Sequence, residues 1–120
     1  LPMVDMHLVI GNHDILRPED YAGMGLQVHS HELQLSGFSF VHDLQPEQLD
    51  DDRYYFSGHI HPGIRLSGMG KQALRFPCFY FSSRFAVLPA FSGFTGISLI
   101  EPKKGENVFA IVENNLIPVC

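Results

Sequence analysis

Residues 54–65 read YYFSGHIHPGIR. Tyr54 to Phe56 is an aromatic, apolar run that stops at Gly58. His59 and His61 follow one residue apart, and Pro62 and Gly63 come straight after. An apolar run bounded by glycine and proline predicts a strand over 54–57. In extended chain, residues two apart point the same way, so both imidazoles face one small volume if the extension persists through the loop. Gly58 and Gly63 then permit tight backbone, and Pro62 stiffens the exit. Paired imidazoles at such a mouth suit divalent transition metals. A solitary His-x-His describes surface or core histidines equally well, so the rest of the chain decides.

The pattern recurs upstream. The apolar run 8–10 (LVI) delivers Gly11-Asn12-His13-Asp14, and the apolar stretch Phe38 to Val41 delivers His42-Asp43. The amide oxygen of Asn12 is a hard ligand. His13 fits a general acid, and Asp14 is placed to accept from its other nitrogen and fix its tautomer. A plain polar turn is the competing reading of this quartet. Three apolar strands that each end in a polar, histidine-bearing tip are nevertheless how an α/β sheet assembles a site at one edge.

Around these tips the chain reads mostly β. Residues 6–10 form a strand, and Pro18 opens a short helix ended by Gly23 and Gly25. ELQLSGFSFVHD (32–43) is a hairpin about Ser36-Gly37, and the acidic stretch 43–52 is a loop or a single helical turn. Further strands fall near 74–82, 85–89, 96–100 and 107–112. Phe79, Phe81, Phe85, Val87 and Leu88 read as core, with Phe91 and Phe94 flanking a glycine turn. His29 and His31 read as solvent-facing on a hairpin, with a substrate contact as the alternative.

At 120 residues and 45% hydrophobic content this is one folded unit, residues 1–120, with no linker or repeat. No apolar run reaches the ~18 residues of a membrane helix, so no membrane partner is expected. Cys78 and Cys120 form no metal motif and imply a reduced, cytoplasmic setting, with Cys78 buried and inert. The net charge of −5 is unevenly spread: residues 1–52 hold ten acids against Arg17, whereas residues 53–100 hold Arg53, Arg65, Lys71, Arg75 and Arg84 with no acid. That segment is either a solvated face or a basic lobe for a phosphate-bearing ligand. Arg65 and Arg84 are the candidates to meet phosphate.

The ordered set Gly11-Asn12-His13-Asp14, His42, Gly58-His59-Ile60-His61 resembles the calcineurin-like metallophosphoesterases. Their pattern runs Asp-x-His, Gly-Asp, Gly-Asn-His-Asp/Glu, a lone His, and Gly-His-x-His. The resemblance implies that Asn12, His42 and His59 hold one metal and His61 the other, with His13, aided by Asp14, facing the leaving group. PCFYFSSRFAVLPAFSGFTG (77–96) is similar to the C-terminal part of the ligase-associated DNA-damage-response endonucleases. The family's first two motifs are missing. Asp5-Met6-His7 matches Asp-x-His by type, but it lies on the strand that already feeds Gly11, where the family uses separate strands.

The resemblance therefore implies an α/β, β-rich fold: the C-terminal half of a metallophosphoesterase β-sandwich flanked by helices, supplying mainly one sheet. Its implied activity is phosphomonoester or phosphodiester hydrolysis, with DNA as a candidate substrate. Two divalent ions about 3.5–4 Å apart would act together, and the mixed nitrogen and oxygen donors favour Mn, Fe or Zn over Mg. The upstream half of the same domain would be its partner, and the isolated chain is expected to hold at most one ion and to be inactive. A non-catalytic scaffold of the same fold and a nucleic-acid-binding module using residues 53–84 remain as alternatives.

Overall fold

The computed structural model describes residues 4–12, 14, 16–50, 52–67, 73–91 and 96–119. It is a β-rich α/β fold with mixed sheets and few helices. Strand β1 (Met6–Val9) leads into helix α1 (Pro18–Gly23), which starts on Pro18 with Glu19 and Asp20 in its first turn and stops before Gly25 at φ +84°. Strand β2 (Leu26–His29) returns parallel to β1, with His7 opposite Gln27 and Val9 opposite His29.

The hairpin about Ser36-Gly37 forms as its sequence predicts. β3 (Glu32–Leu35) pairs antiparallel with β4 (Phe38–Val41), and Ser36 takes a positive φ of 53°. The acidic stretch contains one 3-10 turn, Pro46–Gln48. It is pinned to the sheet by Tyr55, whose hydroxyl donates to the Gln48 carbonyl (3.1 Å) and accepts from the Asp50 N–H (2.9 Å).

The second sheet runs in the order β11-β10-β7-β8-β5-β4-β3. Here β5 is Tyr54–Ser57, β7 Ala73–Phe81, β8 Phe85–Val87, β10 Asn107–Val112 and β11 Asn115–Pro118. β4, β5 and β8 are mutually parallel, so their C-terminal ends lie on one edge. The long β7 divides its partners: residues 73–77 pair with β6 (Pro62–Ser67), which also pairs with β9 (Ser98–Leu99), while residues 78–81 pair with β10 and 80–81 with β8. Ile64, Cys78, Val108 and Ala110 form the core at this junction, with Phe76, Tyr80 and Ile100 packed around them.

Three strands were illegible in the sequence. Pro62 and Gly63 read as turn residues, yet both are buried at the start of β6. Gly63 is needed there, because a Cβ would stand 2.6 Å from the Ile97 Cδ1 atom. β2 carries His29, and β11 follows a tight turn in which Glu113 and Asn114 both take positive φ. Among the residues read as core, Val87 is buried and Phe79, Phe81 and Phe85 are half-buried, whereas Leu88 is exposed at the surface of a cleft just past the end of β8 and so is not core, and Phe91 at the glycine turn is fully exposed. Phe91 is thus no core residue: it follows Pro89 beyond the end of β8, where no strand pairing draws it inward. Phe94 lies outside the described residues.

Burial raises the Cys78 thiol to about 11, so it is protonated and unreactive near neutral pH. Burial, then the carboxylate of Glu106 that accepts from its hydroxyl, pushes Tyr80 up to about 12. Both groups ionise earlier in the unfolded chain, from 9.0 and 10.0 respectively. Unfolding therefore releases protons at high pH, and stability present below pH 9 falls as pH rises toward 11 and 12. Urea midpoints measured across that range should decline, and Cys78→Ala should flatten the lower part of the decline. A flat profile in the wild-type chain contradicts this.

Candidate metal centre

The parallel register of β4 and β5 sets His42 and His59 just beyond two adjacent strand ends. The His59 Nδ1 atom lies 2.9 Å from the His42 Nε2 atom, and the rings meet edge to face at 4.7 Å. The third tip comes from the other sheet. After β1 the chain passes Gly11, whose missing side chain lets the His42 ring approach: a Cβ there would be 2.6 Å from the ring Cε1 atom. Asn12 follows, its Oδ1 atom 2.9 Å from the His42 Nε2 atom. Three potential donors from three loops are thus brought together, with His42 Nε2 in contact with both of the others.

Which of these atoms carries a proton depends on the histidine tautomers. His42 Nε2 faces both an amide oxygen and a second imidazole nitrogen. If it carries hydrogen, that single N–H serves one of the two neighbours. If it is bare, it accepts from His59 and opposes the lone pairs of Asn12. A cation held by all three would take one lone pair from each and remove that conflict. The donor set, two imidazoles and one amide oxygen, fits a borderline transition metal. Among the described residues, no group of three His, Cys, Asp or Glu side chains gathers to bind a metal; the third polar group beside His42 and His59 is the amide of Asn12.

His61 lines the same cleft as His42 and His59, a space of about 210 Å³ walled by Val9, Phe40, Phe56, Leu88 and Pro89. The route by which the two histidines arrive differs from the extended chain expected. His59 and His61 both hold positive φ, 66° and 51°, and the Ile60 N–H donates to the Gly58 carbonyl at 2.8 Å. The tight backbone is therefore carried by the histidines themselves. Left-handed conformation costs a residue with a Cβ on the order of 1 kcal/mol or more, and such strain concentrates at functional sites. At Gly58, a Cβ would meet nothing within 4 Å.

His13 lies outside the described residues. The Asp14 carboxylate accepts from the Gly11 N–H at 2.7 Å, closing the loop that aims Asn12. The structure thus shows Asp14 as a loop staple, and its expected pairing with His13 lies outside the described residues. His29 is not on a solvent-facing hairpin: β2 pairs with β1, and the His29 Nε2 atom lies 3.0 Å from the His7 Nδ1 atom with the rings stacked. His7 is occupied there, on the strand that feeds Gly11. His31 is exposed and shares a polar cleft of about 250 Å³ with Glu32, His42 and Asp43. Sequence reading also missed an adjoining apolar cavity of about 210 Å³, lined by Leu44, Leu49, Ile60, Phe85 and Val87, because its walls come from three separate segments.

The chain matches no protein-family model and no curated protein sequence. Among solved structures it is similar to a nuclease. That structure is the crystal structure of Pseudomonas putida nuclease MPE, with 28% identity and a TM-score of 0.74 over 96% of this chain. The similarity establishes a nuclease-like fold. This chain spans 53% of that nuclease's length, about half.

Proposed function

We propose that this chain carries one half of a dinuclear-metal phosphoesterase site that hydrolyses phosphodiester bonds in nucleic acid. The observation that supports it most is the convergence of Asn12 Oδ1, His42 Nε2 and His59 Nδ1 within 2.9 Å contacts at the ends of parallel strands. The similarity to a nuclease adds the substrate class. In this reading Asn12, His42 and His59 hold one divalent ion, Mn, Fe or Zn, and His61 contributes to a second. Bound divalent ions supply Lewis acidity and make water a competent nucleophile near neutral pH. His13 protonates the departing oxygen, oriented by Asp14. The apolar wall of Val9, Phe40, Phe56 and Leu88 limits water on the other side of the cleft.

A dinuclear centre needs more negative and bridging donors than this cluster offers. The reading therefore includes an upstream half of the domain that supplies them. Expected behaviour follows: the 120-residue chain alone binds about one equivalent of Mn²⁺ or Zn²⁺ and gives negligible hydrolysis of a nitrophenyl phosphodiester. A longer chain that includes the upstream half should hydrolyse it in a metal-dependent way. Failure of the longer chain with every divalent ion tried would leave the scaffold reading. Parent-like turnover by the 120 residues alone would show that Asp5, His7 or another group completes the site.

A further inference from the structure

β6 begins immediately after His61, so the sheet it forms with β7 leads directly away from the cleft. In that antiparallel pair Arg65 stands directly opposite Arg75. Opposed residues share a face, and like charges in this position repel. Both arginines are exposed, and among the described residues neither guanidinium takes part in an ion pair or hydrogen bond. Glu101 borders the same cavity as Arg65 but makes no ion pair with it.

The rest of their face is small. Gly63 and Ser67 flank Arg65 on β6, and Ala73 and Pro77 flank Arg75 on β7, since alternate residues share a side. Ile64, on the opposite side, is buried in the core. Arg53, another positive group of the segment, is differently employed. It donates from Nε to the Ser39 Oγ atom and from Nη2 to the Phe38 carbonyl, both at 2.6 Å, and so ties the hairpin to β5. Two opposed guanidiniums without a side-chain partner repel one another and offer bidentate donors to an anion approaching from solvent.

We propose that Arg65 and Arg75 form a phosphate clamp for a nucleic-acid strand entering the cleft. Arg65 lies four residues after His61, about 13 Å along an extended strand, so the clamp grips backbone phosphates beyond the reacting one. It supplies affinity and direction without touching the chemistry. The inference rests on the nucleic-acid reading above, but its test needs neither metal nor turnover.

The test is binding of a fluorescently labelled single-stranded oligonucleotide to the 120-residue chain in EDTA, followed by anisotropy at several salt concentrations. Replacing both arginines by glutamine should lower the log–log salt slope by about 0.7 per lost contact. Removing two other charges, Lys103→Gln with Lys104→Gln, should leave most of the slope in place. Arg65→Glu should weaken binding further while the thermal midpoint holds or rises, because it puts opposite charges across the strand pair. A merely structural arginine would lose stability and binding together. An unchanged slope in the double variant, an equal fall in the lysine control, or no oligonucleotide binding at all overturns the clamp. Binding that behaves as expected in a protein that never hydrolyses phosphodiesters would keep the clamp and remove the hydrolase reading.

Discussion

Replacing His59 by alanine is expected to release the metal and the activity together, whereas replacing His13 is expected to cost activity alone. His59 meets His42 and, through it, Asn12, so its loss removes one of three converging donors. Losing a group that merely supports a ligand typically costs 10–100-fold in affinity, so losing a ligand should cost at least about a hundred-fold. His13→Ala, on the assignment to the leaving group, should lower turnover by about 10²–10⁴ and leave metal content near wild type. Metal analysis of both purified variants, with rates from the longer, active chain, separates the roles. Equal metal loss in the two would merge them into one ligand set. The test matters because the two residues look alike in sequence: each is a histidine in a glycine-framed loop after an apolar strand.

Much of this site was legible because its logic is local. Each tip announces itself by an apolar run followed by a polar break, and the hairpin at Ser36-Gly37 fixes which strand follows which. What the sequence hid depends on contacts between distant segments. That β4 and β5 run parallel and adjacent is a fact of topology, and it is what sets His42 against His59. Pro62 and Gly63 carry turn-type propensities, but burial between β7 and β9 overrides them and makes a strand. The His7–His29 contact needs β2, whose short run LQVH is too brief to be distinguished from a loop by alternation. The left-handed backbone of His59 and His61 is likewise invisible, since glycine at 58 and 63 is the natural place to expect it.

That reversal makes glycine the subject of the sharpest structural prediction. Sequence reading gives Gly58 the role of relieving tight backbone beside His59, yet the structure leaves open space where its Cβ would be. Gly11 looks like a simple strand terminator, yet a Cβ there would lie 2.6 Å from the Cε1 atom and 2.7 Å from the Nδ1 atom of His42. Real Cβ atoms do not come so close, so the ring must move. It cannot move freely, because its Nε2 atom is the shared neighbour of Asn12 and His59. Nor can the glycine's own backbone easily retreat, since its N–H is held by the Asp14 carboxylate. Gly11→Ala should therefore weaken Mn²⁺ or Zn²⁺ binding by about ten-fold or more, the scale of a displaced ligand rather than a lost one. Gly58→Ala should bind metal like the wild type. A double-variant cycle sharpens the point: once His42→Ala has removed the ring, adding Gly11→Ala should cost almost nothing more. Titration calorimetry on the four chains measures all of this. Wild-type affinity in Gly11→Ala, or additive losses in the cycle, would mean that His42 does not hold its metal-facing position by packing on the bare backbone of Gly11.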